Sequence, residues 1–190
     1  GWKIELHDDD GNPVGVGEEG RIAIRTRDPS PVGLFMEYLD DPEATAKVFV
    51  GDWYYTGDKA IMDEDGYFWF QGRDDDIIKS SGYRISPAEV ESALMTHPCV
   101  KESAVVGSPD PIRGVIVKAF ICLKDGWTGS DDLIRELQNH VKTTTAPYKY
   151  PRAIEFVEEL PKTISGKVRR VELRDREIQR YKEQNEHQDE

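Results

Sequence analysis

Apolar and polar positions alternate through most of the first third of the chain, which predicts β-structure. Residues 2–6 alternate, the cluster Asp8-Asp9-Asp10-Gly11-Asn12-Pro13 turns the chain, and residues 21–26 alternate again. Asp41 followed by Pro42-Glu43-Ala44-Thr45-Ala46-Lys47 predicts a short helix with proline in its first turn. Residues 53–56 and 59–62 predict two strands around a turn at Gly57. Asp63-Glu64-Asp65-Gly66 then predicts a hairpin into the aromatic run 67–71.

The period changes at Gly72-Arg73-Asp74-Asp75-Asp76, where three adjacent carboxylates repel one another and predict a solvated connection between two domains. Beyond it, Ser86-Pro87-Ala88-Glu89 reads as a capping box opening a helix through Val90 and Leu94 that stops before Pro98. Residues 102–106 and 115–123 are apolar enough for buried strands, joined through Pro109-Asp110-Pro111 and Gly114. Leu133, Ile134, Leu137 and Val141 form a helical stripe behind Ser130. Residues 154–157 predict a strand, and the charged segment from about Val168 a helix whose last ten residues fray. The expected class is α+β, a β-rich piece followed by a small α/β domain.

Composition narrows the function. The 190 residues carry a formal charge of −12 with 37% hydrophobic residues, enough apolar material for a core. The acidic balance argues against a nucleic-acid or anionic-membrane binder, and no apolar run reaches the ~18–20 residues of a membrane span. Residues 1–72 hold 6 basic and 16 acidic side chains, a balance of −10, against −2 for residues 73–190. Within 142–170 the sign reverses: Lys142, Lys149, Arg152, Lys162, Lys167, Arg169 and Arg170 oppose three glutamates. That segment is either a solvated basic face or a site for a small polyanion. Cys99 and Cys122, in apolar surroundings without metal-site spacing, read as buried thiols of a reducing compartment. The four histidines are scattered, and neither aspartate triplet has the register of a calcium loop.

Three stretches carry chemistry: Tyr55-Thr56-Gly57-Asp58, then residues 72–85, then Pro161-Lys162-Thr163-Ile164-Ser165-Gly166-Lys167. Asp58 after a glycine either stabilises its own turn or accepts two ribose hydroxyls. Arg73 either clamps a phosphate or ribose or pairs with Asp74 or Asp76. Ser80-Ser81-Gly82 is a hairpin turn or a place where backbone approaches a ligand. Lys167 is a surface lysine or a point charge against negative charge developing on phosphate. It does not end a Walker loop, because Pro161 stands where the first glycine belongs.

Taken in this order, the three stretches resemble the carboxy-terminal motifs of the adenylate-forming superfamily. The flanks Ser86-Pro87-Ala88-Glu89-Val90-Glu91, Pro109-Asp110-Pro111-Ile112-Arg113-Gly114 and Thr145-Ala146-Pro147-Tyr148-Lys149-Tyr150-Pro151 lie nearest the medium-chain acyl-CoA synthetase branch. The resemblance covers essentially the whole chain. It implies that residues 1–73 are the last β-rich subdomain of a large, AMP-binding amino-terminal domain. Residues 74–190 would be the mobile AMP-binding carboxy-terminal domain, with its hinge at Asp75. It further implies an acid–thiol ligase that uses ATP, coenzyme A and Mg2+ to turn a medium- or short-chain carboxylic acid into an acyl-adenylate and then a thioester.

By the same resemblance, Lys167 is catalytic, and Asp58, Arg73 and Lys167 bind ATP or AMP. Ser81, Gly82, Tyr83, Arg113 and Lys142 face coenzyme A, and Arg84 contacts the substrate. The phosphate loop, the acyl pocket and most metal ligands of the family precede these motifs. The chain is therefore expected to be a fragment, inactive without the missing amino-terminal domain. The expected location is cytoplasmic, or the mitochondrial matrix in a eukaryote. Two other readings stand beside it: an adenylation domain that loads a carrier protein, and a non-catalytic nucleotide-binding module.

Overall fold

The computed structural model describes residues 1–27 and 31–186, and the chain divides into two compact units, Gly1–Asp75 and Asp76–Glu190. The last four positions of the tail expected to fray, His187 among them, lie outside the described residues.

The first unit is an antiparallel sheet of β1 (Ile4–His7), β2 (Glu19–Arg25), β3 (Phe49–Val50), β4 (Trp53–Met62) and β5 (Phe68–Arg73). β2 lies along one edge of β4, whereas β3 and β5 share the other edge. The short helix α1 (Pro42–Val48) starts where Asp41 accepts the Ala44 amide at 2.9 Å, satisfying one of the donors a helix start leaves open. Gly57 does not turn the chain between two strands. One continuous strand runs through it, and Thr56, Gly57 and Asp58 bulge opposite the single residue Ile22. Gly57 adopts φ +81°, so the bulge replaces the expected turn because glycine can absorb the extra residues without ending the ladder.

The second unit is built on a sheet ordered β10-β9-β8, from β8 (Val100–Asp110), β9 (Gly114–Leu123) and β10 (Ala153–Phe156). β8 and β9 form an antiparallel hairpin, and β10 runs parallel to β9 after a crossover through α3 (Asp131–Thr144). The hairpin strands β8 and β9 read as nearly unbroken apolar runs because both faces are covered. Val105, Val117 and Ile121 face a cluster with Val90, Leu94 and Leu137 from α2 (Pro87–Met95) and α3. Ala104, Val106, Phe120 and Cys122 face Leu160 and Leu173, the latter on α4 (Arg170–Glu186). A separate two-stranded ribbon, β6 (Ile78–Ser80) with β7 (Tyr83–Ile85), precedes α2.

Leu133, Leu137 and Val141 of the α3 stripe are buried and Ile134 is half-buried, and Ser130 caps the helix by accepting the Leu133 amide at 3.2 Å. The capping box at α2 does not form. Ser86 makes no side-chain cap bond, and Glu89 is drawn instead to the Lys149 ammonium at 2.6 Å. Nor are the three adjacent carboxylates simply solvated. Asp74 meets Lys59 at 3.1 Å and Asp75 meets Arg73 at 2.9 Å, both within the first unit. Asp76 meets Arg170 and Arg174 of α4 at 3.5 and 3.4 Å in the second. Their mutual repulsion is offset by cations from both sides of the connection. The charged tail is helical as far as Glu186, so six of the ten residues expected to fray are ordered.

Candidate functional site

In the first unit, Asp58 and Arg73 stand directly opposite each other across β4 and β5. The Arg73 guanidinium donates to Asp75 at 2.9 Å and reaches Asp58 at 3.4 Å. The separation favours Asp75, which leaves the Asp58 carboxylate, 35% exposed, the looser partner. A Cβ on Gly57 would come within 2.8 Å of the Arg73 guanidinium. The glycine thus does two things at once: it permits the bulge and it makes room for the arginine. A cation and a carboxylate side by side on an accessible strand edge can hold a polyhydroxylated anion, the carboxylate accepting hydroxyls while the fork meets phosphate.

In the second unit, Ser81 and Gly82 are the two central residues of the β6–β7 hairpin, with φ +50° and +84°. Positive φ at both positions defines the primed turn that matches strand twist. The turn and ligand readings are therefore compatible: this tight turn leaves Ser81, Gly82 and Tyr83 exposed. The Arg113 guanidinium, on the β8–β9 connection, donates to the Ser81 hydroxyl at 3.2 Å. Asp110 fixes that connection by accepting the Arg113 and Ile112 amides at 2.7 and 3.0 Å. Tyr83 stacks on Tyr148 with ring centroids 4.2 Å apart and planes 17° from parallel. Two residues further along, Tyr150 lies beneath the Lys142 ammonium at 4.1 Å, and its hydroxyl accepts from Arg152 at 2.9 Å. Of the expected coenzyme A residues, Ser81 thus meets Arg113, Tyr83 meets Tyr148 and Lys142 meets Tyr150. Sequence reasoning assigned no role to those tyrosines, although the aromatic-basic alternation Tyr148-Lys149-Tyr150 was the available signal. Arg84 is exposed on β7 opposite Lys79.

Lys167 stands on a different hairpin. Lys162 and Val168 bridge as antiparallel partners, and the Arg169 amide donates to the Pro161 carbonyl at 2.8 Å. Within the loop the Thr163 amide donates to the Lys167 carbonyl at 2.8 Å, and the Gly166 amide to the Thr163 carbonyl at 2.9 Å. Gly166 takes φ +82°. The loop borders an open depression of about 580 Å³ lined by Lys162, Thr163, Ile164, Ser165 and Arg169.

The surrounding basic field is largely neutralised, which sequence alone does not reveal. Lys149 pairs with Glu89, Lys162 with Glu102, Arg169 with Glu172 and Arg170 with Glu91. The hydrogen bond to Glu91 and the nearby Asp76 hold the Arg170 guanidinium above its ordinary pKa, burial notwithstanding. Lys142 and Arg152 lie against Tyr150. Among the described residues, Lys167 is the member of that basic set with neither a carboxylate nor an aromatic partner.

Cys99 and Cys122 are buried free thiols, and burial pushes both up from the ordinary thiol value. Among the described residues no group of three or more His, Cys, Asp or Glu side chains could hold a metal ion. No described helix is long and apolar enough to cross a membrane.

The family described as the AMP-binding enzyme C-terminal domain matches residues 89–167. Acyl-coenzyme A synthetase ACSM5, mitochondrial, from Rattus norvegicus is 59% identical over 178 residues, covering 93% of this chain and 31% of that protein. The anthranilate CoA ligase AuaEII, solved in complex with anthranoyl-AMP, superposes with a TM-score of 0.79 at 44% identity, over 93% of this chain and 33% of that one. A benzoate CoA ligase from Burkholderia xenovorans LB400 gives a TM-score of 0.77 at 40% identity, over 92% of this chain and 34% of that one. The chain spans about a third of the length of the relatives it matches.

Proposed function

We propose that this chain is part of the carboxy-terminal region of an adenylate-forming enzyme, a reading supported by its relatives, and that the whole protein is an ATP-dependent acyl-CoA synthetase. Its substrate is a medium- or short-chain carboxylic acid. Residues 1–73 form the end of a large nucleotide-binding domain, and residues 74–190 the mobile domain that completes the site. The observation that carries this reading is Lys167, an exposed ammonium on a hydrogen-bonded loop in a segment whose other cations have partners.

In the first step a carboxylate oxygen attacks the α-phosphorus of ATP while the bond to pyrophosphate breaks. Two anions must meet, and the Lys167 ammonium offsets their repulsion and the charge that builds at the α-phosphoryl oxygens. Asp58 accepts the ribose hydroxyls, and Arg73 lies beside it for the nucleotide. In the second step the sulfur of coenzyme A attacks the acyl carbon, AMP leaves with the acyl C–O bonding pair, and the thiol proton is released. Ser81, Gly82 and Tyr83 border the path of the thiol arm. Arg113 and Lys142 meet the phosphates of the carrier's nucleotide end, and Arg84 contacts the substrate. Magnesium accompanies ATP as its bound counter-ion; no ligand set for it lies among the described residues, and no step here is assigned to it.

One lysine cannot fill the site while a thiol enters the same space, so the two faces of the second unit act in turn, pivoting at Asp75. The ion pairs support this position: Asp75 is held by Arg73 of the first unit, whereas Asp76 is held by Arg170 and Arg174 of the second. The peptide between them is where one set of anchors gives way to the other. The relatives' mitochondrial names and the two buried thiols favour a mitochondrial compartment for this protein as well.

Reversing Arg113 and Lys142 to glutamate in the full-length enzyme tests the assignment. Loss of two charge-assisted contacts, about 1.5–3 kcal/mol each, raises the KM for coenzyme A at least tenfold. ATP–pyrophosphate exchange driven by the acid stays within twofold. An equal fall in exchange, or an unchanged KM with transfer to a carrier protein instead, overturns coenzyme A as the acceptor read from this face.

A further inference from the structure

We propose that Thr163 is a positioning residue for Lys167, its hydroxyl fixing the point from which the catalytic ammonium projects. The inference rests on the adenylation role given to Lys167 and adds a residue that this role does not by itself require.

The Thr163 hydroxyl oxygen accepts the Lys167 amide at 3.1 Å and shares a 2.9 Å hydrogen bond with the Ser165 hydroxyl. The same residue's amide donates to the Lys167 carbonyl, and its carbonyl accepts from Gly166. Thr163 therefore satisfies both backbone polar groups of Lys167, one through its main chain and one through its side chain. No buried apolar contact does this work, because residues 162–167 are all exposed. Hydrogen bonds hold the loop in place of burial, and the Thr163 oxygen is the member that clasps Lys167 across the turn.

Such a clasp matters for a lysine in particular. The side chain has a long flexible stem, so its reach is defined only as well as its Cα and backbone direction are defined. Reacting geometry is unforgiving: a misplacement of about 1 Å costs on the order of 10²-fold in rate. Freed from Thr163, the Lys167 amide would turn to water, and the loop could present the ammonium along several directions. Ser165 keeps the threonine hydroxyl aimed inward by taking its second hydrogen-bonding position.

The test uses the full-length enzyme with Thr163→Val, Thr163→Ser and Lys167→Ala, following acid-dependent ATP–pyrophosphate exchange and, separately, coenzyme A-dependent consumption of supplied acyl-adenylate. Thr163→Val keeps the shape, loses the acceptor, and is expected to slow exchange by about 10- to 100-fold. Acyl-adenylate conversion and the melting temperature should hold, since the hydroxyl lies on an exposed loop. Thr163→Ser restores exchange to within about threefold. If Thr163→Val exchanges at the parent rate while Lys167→Ala does not, the positioning role is wrong and the lysine's role stands. If Lys167→Ala also exchanges at the parent rate, the underlying reading fails. If Thr163→Val slows both half-reactions alike, or Thr163→Ser fails to rescue, the hydroxyl serves loop integrity and not the lysine, and the proposal is overturned.

Discussion

Glu177 ties α4 to the central sheet, and its removal should weaken the second unit more than any surface charge does. Its carboxylate is 6% exposed and accepts from the Ser108 hydroxyl at 2.8 Å, the Lys118 ammonium at 2.8 Å and Arg180 at 3.0 Å. Removing one partner from a buried ion pair costs about 3–5 kcal/mol when the other charge is stranded. Lys118 is not stranded, since Glu155 also holds it at 2.8 Å, so the lower end of that range applies. The buried Ser108 hydroxyl loses its acceptor, which adds about 1 kcal/mol or more. The sum for Glu177→Ala is roughly 4 kcal/mol, or roughly 15–20 °C in melting temperature for a unit of this size. Calorimetry of the chain, with amide hydrogen exchange along α4 and β9, would locate the loss. The triple change Ser108→Ala, Lys118→Met, Glu177→Leu removes every fully buried polar member and should recover most of it, because the cost lies in unpaired groups and not in the absence of charge. A single-variant loss under about 0.5 kcal/mol, or a triple variant weaker than the single one, would refute the reasoning about desolvated partners.

Two further outcomes follow from the geometry. Gly57→Ala places a Cβ 2.8 Å from the Arg73 guanidinium at a residue with φ +81°, so nucleotide affinity of the full-length enzyme should fall about tenfold, read by titration with a non-hydrolysable ATP analogue; unchanged affinity would separate Arg73 from the nucleotide. Burial alone raises the Glu155 carboxyl, but hydrogen bonds from Arg180 and Lys118 outweigh it and hold the group below its ordinary 4.5. A depressed folded value means that this contribution is complete above about pH 4.5 and fades as pH falls through the folded value. Urea midpoints should therefore decline in that acid range for the parent chain and less steeply for Glu155→Gln; parallel declines would remove Glu155 from the acid response.

Much of the second unit was legible because its elements are dictated locally. The Leu133, Leu137, Val141 spacing with Ser130 in front specifies α3 without reference to anything else. The apolar runs of β8 and β9 likewise declare that both faces are covered. What the residues could not disclose was who pairs with whom. Asp76 finds Arg170 across 94 positions, and Lys149 takes Glu89 across 60, so a capping box and a solvated triplet both dissolve into long-range ion pairs. Gly57 was readable as a positive-φ position but not as bulge or turn, since only the neighbouring strand decides whether the ladder continues. The same limit explains the basic field: a count of charges along the chain contains no record of the carboxylates folded against them. Lys167 emerges as distinct only after those partners are subtracted.

The most direct measurement is the split between half-reactions in full-length enzyme carrying Lys167→Ala. The ammonium is held to act while carboxylate and α-phosphate combine, and losing a charge contact of that kind typically costs about 10²- to 10³-fold. Acid-dependent ATP–pyrophosphate exchange should fall by that factor, while supplied acyl-adenylate is still converted to thioester within about threefold of the parent rate. Exchange at the parent rate, or an equal loss in both half-reactions, would contradict the role assigned to Lys167.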